Sequence, residues 1–196
     1  MIRTTTSSDA SAIRGVLAEA FVSDPMLRWI FPDDETRLDA TAAWLGLFAE
    51  RYARDGRVDA IADDDLAAVA LWRLPDAGTP PPSLPSISGL LAALIGKGRA
   101  DTIWKSLRAI ATVTPTGRFA YLHLLAVRPT RQRQGLGRSV IEPGLAFADE
   151  TGLGVHLETT NPENLGFYQS LGFAVSNQLV FGAGGPPLWA MWRDPR

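Results

Sequence analysis

The segment best equipped for chemistry spans residues 124–139, where an apolar stretch enters a polar loop and a helix begins at Gly135 and Gly137. The first amides of a helix lack intrahelical partners and carry the positive end of its dipole, so glycines there let a phosphate approach closely. Arg131, Arg133 and Arg138 add charge beside this cradle, and the guanidinium fork suits phosphate. An isolated G-x-G can also do no more than relieve crowding in a tight strand-to-helix turn. Two other phosphate loops are excluded: a dinucleotide fingerprint needs a third glycine where Val140 stands, and no Walker loop occurs. Three side chains nearby can move a proton. His123, with an ordinary imidazole pKa near 6.5, suits a general base at neutral pH, and period-two alternation puts it on one strand face with Tyr121 and Leu125. It reads equally well as a hydrogen-bonded core histidine. Glu158 ends the next strand, where carboxylates meet the ligand crevice of an α/β sheet, or else it pairs with an arginine. Tyr121 could relay a proton through water, and His156 reads as structural.

The elements that must hold these groups follow from patterning. A short strand over 2–5 precedes a helix with Ile13, Val16, Leu17, Ala20 and Phe21 on one face. Residues 23–32 read as a loop between two prolines, followed by a helix whose face carries Leu38, Ala42, Leu45, Phe48, Ala49 and Tyr52 and which stops at Asp55 and Gly56. Strands over 58–62 and 66–74 flank the acidic turn 63–65 as a hairpin. Residues 75–117 read as a proline-rich connector plus a helical insertion, two helices interrupted at 96–98. From 118 to 173 the pattern is strand, helix, strand, helix, with closing strands over 173–181 and 188–192. This alternation predicts an α/β architecture, a mixed sheet with a right-handed parallel crossover.

The 196 residues carry a net charge of -2, no cysteine and two histidines, which fits one domain, here 1–196, with one core. The composition excludes a disulfide framework, a cysteine nucleophile and the usual zinc sites. It advertises no nucleic-acid partner and no membrane span, and with no secretory h-region at the N-terminus a cytoplasmic protein is expected.

Gln132, Gly135 and Gly137 together with the strand before them resemble motif A of the GNAT superfamily of acyl-coenzyme A N-acyltransferases, Q/R-x-x-G-x-G/A. Residues 157–173 resemble a second GNAT block through Asn161, Asn164, Phe167, Tyr168, Gly172 and Phe173. The stretches 20–25, 70–72, 141–144 and 157–159 further resemble the puromycin N-acetyltransferase group, most weakly matched between 75 and 117. The resemblance implies a GNAT-type central mixed sheet flanked by helices, with a splayed parallel pair at the cofactor, acetyl-CoA. It implies that Leu125, Ala126 and Val127 meet the pantetheine arm and that the Leu125 amide polarises the acetyl carbonyl. Pyrophosphate would lie on Arg133, Gln134, Gly135, Leu136, Gly137 and Arg138, with Gln132 in the motif and Ser139 close by. Asn161 and Asn164 match positions near the pantetheine. Tyr168 matches the tyrosine that protonates the departing thiolate, although an aromatic core residue would also fit. A histidine stands at the position of His123 in arylalkylamine N-acetyltransferases. The loop holding Asp24, Trp29 and Phe31 borders the acceptor pocket in this fold. Asp24 would pair with an amine and the rings would stack on it, or the rings fasten the loop to the core. The expected activity is N-acetylation of a small-molecule amine by direct attack, in a monomer or homodimer. A protein acetyltransferase and a non-catalytic coenzyme A sensor are the alternatives.

Overall fold

The computed structural model describes residues 1–75 and 86–196. Seven strands form one sheet in the order β1-β2-β3-β4-β5-β7-β6. They are β1 (Ile2–Thr4), β2 (Arg57–Ala62), β3 (Leu66–Arg73), β4 (Ala120–Val127), β5 (Val155–Thr159), β6 (Ala174–Val180) and β7 (Pro187–Arg193). β4 and β5 run parallel and every other pairing is antiparallel. The mixed α/β sheet expected from the alternation is present. The proline-rich stretch 76–85 lies outside the described residues.

Helices cover both faces. α1 (Ala10–Phe21), α2 (Pro25–Ile30), α3 (Arg37–Asp55), α4 (Ile87–Ile95) and α5 (Lys97–Leu107) pack on one side; α6 (Leu136–Glu150) and α7 (Leu165–Ser170) pack on the other. β3 is buried from both sides: Val69 and Leu71 face the first layer, while Ala68, Ala70 and Trp72 face the second. This is why the strand is a continuous apolar run rather than an alternating one. Gly144 lets α6 lie directly on the fully buried Trp72 indole, which a Cβ would overlap.

Three local expectations are corrected. The 23–32 loop contains α2: Asp24 accepts the amides of Met26 and Leu27 at 2.9 and 3.3 Å, and Pro25 occupies the first helical turn. Proline is tolerated there because its missing N–H would have no partner anyway. Leu38 is 45% exposed, since α3 turns Arg37, Ala40, Thr41, Trp44 and Tyr52 inward instead. The third correction concerns β4. Leu71 pairs with Leu124 but Trp72 pairs with Leu122, which leaves His123 unopposed in a β-bulge. A one-residue insertion inverts the alternation that follows it. Ala120 and Leu122 pack towards α6, yet Leu124 and Ala126 pack towards α1 and α3, and Leu125 packs with the α6 side. Leu125 therefore does not share a face with Tyr121 and His123.

Candidate active site

β4 and β5 stay in register only at Ala120–Val155 and Tyr121–His156; beyond these pairs they diverge. Arg128 donates its amide to Ala67 of the β3 side at 2.9 Å, so two-residue alternation turns the amides of Ala126 and Leu124 the same way. The amides of Leu125 and Val127 then face the gap between β4 and β5. The carbonyl of Val127 agrees, accepting from Gln132 Nε2 at 3.2 Å rather than from a strand.

The gap opens into a cleft of about 570 Å³. At its end the chain folds an anion nest: Arg133 has φ 60° and Gly135 φ 81°, left-handed conformations that bend successive amides inwards ahead of α6. A non-glycine residue in that region is uncommon and belongs where the surrounding structure fixes it. Leu125, Ala126, Val127, Gln132, Arg133, Gly135, Leu136, Gly137, Arg138, Asn161, Asn164 and Tyr168 all line the cleft. Gln134 and Ser139 do not. Gln134 Oε1 instead accepts from Arg131 Nε at 3.3 Å, and the Ser139 amide closes the first turn of α6 on Gly135 O. Arg131 also departs from the cradle: its guanidinium pairs with Asp63 at 2.8 Å, pinning the loop to the β2–β3 turn. Asn161 caps the turn before α7 by accepting the Glu163 amide at 3.0 Å, and Asn164 Nδ2 reaches Thr159 Oγ1 at 3.4 Å. A nest for a diphosphate and a strand edge with inward amides suit a long, amide-bearing nucleotide thioester such as acetyl-CoA.

A second cavity of about 120 Å³ adjoins the cleft, and Phe21, Asp24, Leu125, Asn164 and Tyr168 line both. Tyr121, His123 and Glu158 also line it, so the structure brings together every side chain expected to move a proton. Tyr168 is 7% exposed, and its phenol makes no hydrogen bond among the described residues. Burial raises its pKa, and the nearby Asp24 carboxylate raises it further. The imidazole of His123 packs edge-on to Phe48 and receives or gives a hydrogen bond at Tyr52, whose hydroxyl is 2.9 Å from Nδ1. Burial lowers His123 to about 4 and pushes Tyr52 up to about 12. The Glu158 carboxylate meets a histidine. His156 Nε2 lies 2.8 Å from its Oε1. Tyr121 stacks between the rings of His123 and His156 at 5.1 and 5.6 Å, under the guanidinium of Arg73 at 4.8 Å. Desolvation first, and then the Glu158 carboxylate, raise the Tyr121 phenol.

The residues expected to hold the acceptor separate. Asp24 is at the junction of the two cavities, but as the α2 cap it spends Oδ1 on two amides and on Thr160 Oγ1 at 3.2 Å. Burial raises its pKa against those hydrogen bonds. Phe31 is 3% exposed, sits edge-on to Trp44 at 6.0 Å and lines neither cavity, because the turn after α2 drives it into the core. Trp29 lines neither cavity: it stacks on Phe181 at 5.4 Å and donates Nε1 to Ala183 O at 3.2 Å. Both rings therefore fasten the segment rather than reach the acceptor cavity. Met26, in the loop expected to border the acceptor, does line the cavity; residues not singled out for the site from sequence include Phe21, Ile110 and Leu188 in its wall and Tyr52 beside His123. No spacing rule links Tyr52 to His123, 71 residues away. The His156–Glu158 pair, by contrast, lay open to the period of two along a strand.

Among the described residues no helix is long and apolar enough to cross a membrane. Among solved structures, a Corynebacterium glutamicum protein described as "histone acetyltransferase HPA2 and related acetyltransferase" superposes with a TM-score of 0.72 at 28% identity, covering 100% of this chain and 96% of that one. Arylalkylamine N-acetyltransferase 2 from Aedes aegypti superposes at 0.65 with 17% identity, covering 100% and 99%. PaiA N-acetyltransferase from Thermoplasma acidophilum, solved in complex with coenzyme A, superposes at 0.57 with 12% identity, covering 99% and 98%. At these identities the last two share the fold alone. A sequence profile of the acetyltransferase (GNAT) family matches residues 29–173. The match takes in more than half of the sequence, including the nest and the diverging strands, so the chain belongs to the acetyltransferase (GNAT) family and takes acetyl-CoA as its donor.

Proposed function

We propose that this enzyme acetylates a small cationic amine by direct attack, with Glu158 accepting the amine proton and Tyr168 supplying a proton to the leaving sulfur. The observation that carries the reading is the junction of the two cavities. The cofactor cleft and the acceptor cavity share Leu125 and Tyr168, so a main-chain donor and a protonated phenol meet one point from the cofactor side. When bound, acetyl-CoA supplies an acyl carbon bearing a good leaving group.

The Leu125 amide faces that point without reorganising, a donor of the kind that contributes about 3 kcal/mol to acyl transfer. With acetyl-CoA bound, Glu158 would take one proton from the ammonium to free the nitrogen lone pair; as the N–C bond replaced the C–S bond, the Tyr168 proton would pass to sulfur and the second N–H proton would restore the phenol, leaving the proton on Glu158 to return to solvent. Tyr168 suits its part because burial and Asp24 keep it protonated, while a thiolate of pKa about 8.5 becomes a hydrogen-bond acceptor beside it. Glu158 is preferred over His123 as proton acceptor. The imidazole has Nδ1 committed to the Tyr52 hydroxyl, whereas the Glu158 carboxylate lines the acceptor cavity and also offers a cationic amine its counter-charge. With no cysteine in the sequence, no thiol acyl-enzyme can form.

The acceptor cavity supports a small molecule over a peptide. Its volume is about 120 Å³, with apolar walls including Met26, Ile110 and Leu188. Two carboxylates line it, Asp24 and Glu158, and no lysine or arginine does among the described residues. Such a site favours an amine without an anionic group, because a buried carboxylate or phosphate would lack a counter-charge. We place the chain with the puromycin N-acetyltransferase group on the motif stretches given above, without assigning puromycin as its acceptor.

Free thiol release from acetyl-CoA, measured across a panel of amines for wild type and Tyr168→Phe, tests the reading. Turnover of uncharged-body amines with a kcat loss of about 10²-fold or more in Tyr168→Phe is expected. Coenzyme A binding with no turnover on any amine would instead support a sensor, and turnover confined to peptides would support a protein acetyltransferase.

A further inference from the structure

His156 is the group the mechanism leaves unused. It is fully buried in β5, faced by Tyr121 at 5.6 Å and met edge-on by Phe119 at 5.7 Å. Its Nε2 lies 2.8 Å from Glu158 Oε1, and its Nδ1 is buried with no partner among the described residues. A carboxylate oxygen only accepts, so Nε2 carries the hydrogen. A second hydrogen on Nδ1 would be a buried donor with nothing to receive it, a more costly state than a bare acceptor nitrogen. The geometry thus selects one form of the ring, neutral with its hydrogen on Nε2. His156 and Glu158 are two residues apart on one strand, hence on the same face, and the ring is clamped by aromatic neighbours on both sides.

We propose that His156 is a positioning residue: its fixed Nε2–H holds the Glu158 carboxylate in one orientation at the wall of the acceptor cavity. This rests on the reading of Glu158 as proton acceptor. The Glu158 side chain is 8% exposed and would otherwise choose among rotamers in a cavity with few donors. With Oε1 held by His156, the remaining capacity of the carboxylate faces the nearby Tyr121 phenol and the incoming amine. Binding of acetyl-CoA is untouched by this arrangement, because neither residue lines the cofactor cleft.

Only two histidines exist in the chain, so ¹⁵N spectra of the rings can be assigned with His156→Gln and His123→Gln alone. Wild type at pH 7.5 is expected to show His156 as the Nε2–H tautomer, and Glu158→Ala to release it towards a mixture. In acetyl transfer, His156→Leu should lower kcat at least 10-fold with the KM for acetyl-CoA unchanged. Gln, whose amide can reach the same oxygen, should restore most of the rate. Both variants are checked for folding by thermal melting; a Leu variant that fails to fold leaves the Gln variant and the tautomer to decide. A wild-type Nδ1–H tautomer, or a folded His156→Leu enzyme with wild-type kcat, overturns the proposal. An Nε2–H ring in a protein that acetylates no amine overturns the function proposed above while leaving the hydrogen bond itself established.

Discussion

Lowering the pH should unlock this fold through one imidazole before its carboxylates matter. Burial depresses His123 from its ordinary 6.5 to about 4, so the unfolded chain takes up the proton first as pH falls. Stability contributed by the neutral ring is complete above about pH 6.5 and is lost progressively as pH drops towards 4. The full gap between the two values corresponds to about 3 kcal/mol, most of it lost by pH 4.5. His123 is only half-buried by its accessible surface, so solvent screening trims the loss to about 2 kcal/mol. Several carboxylates act near this range, Asp9, Asp33, Asp55 and Asp63 being held low by their hydrogen bonds. Asp24, raised by burial, works in the opposite sense and gains stability on acidification; Asp149, lowered by its hydrogen bond to Arg193, loses stability only in the carboxylate range below. Urea unfolding of wild type and His123→Gln at pH 7.5, 6.5, 5.5 and 4.5 separates them, since everything but His123 cancels in the difference. The variant should be the flatter of the two by about 2 kcal/mol across that interval. Parallel stability curves for the two proteins would refute the buried, neutral imidazole.

Replacing Gly135 with Ala forces a left-handed φ of 81° on a residue with a Cβ, although the space around it is open. The expected cost of about 1 kcal/mol should appear as weaker coenzyme A binding by calorimetry, about 5- to 10-fold, with the melting temperature shifted by only a few degrees. Gly144→Ala would overlap the buried Trp72 indole and should destabilise the fold by about 3 kcal/mol, read by urea unfolding, while leaving acetyl-CoA KM intact in whatever protein remains folded. Trp29→Ala should lower stability through loss of the Phe181 stack and of the hydrogen bond to Ala183, with the KM for the amine unchanged. A large rise in amine KM there would return Trp29 to the acceptor cavity.

The cofactor side was legible in the sequence because its chemistry is made by consecutive residues. Gly135 takes a left-handed φ that glycine adopts without strain, and the nest forms around it from neighbouring residues of the same loop. The acceptor side was less legible, because its chemistry comes from elements far apart in the chain. Phe21 from α1, Ile110 from the turn after α5 and Leu188 from β7 meet in one wall, and no spacing connects them. Residues 23–32 read as a loop because prolines bracket them, yet Asp24 and Pro25 are also a helix start, and that chemistry prevailed. The inversion along β4 could not be read at all. Nothing in 120–127 marks a bulge, and strict alternation across it misplaced Leu125 relative to His123.

The divergence of β4 from β5 gives the molecule a sheet edge in its interior. An ordinary edge lies at the rim, where its unpaired backbone invites another chain to add a strand. Here the edge is flanked by α1 on one side and α6 on the other, and Arg138 of α6 donates to Ser170 of α7 at 2.7 Å. A folded protein cannot enter such a slot, but a thin, flexible chain with its own amides can. Hydrogen exchange would display this as a saw-tooth along one strand: Leu124 and Ala126, bonded to β3, are slow, while Leu125 and Val127 between them are fast. Ligand binding would then level the saw-tooth, converting the least protected positions at the centre of the sheet into paired ones.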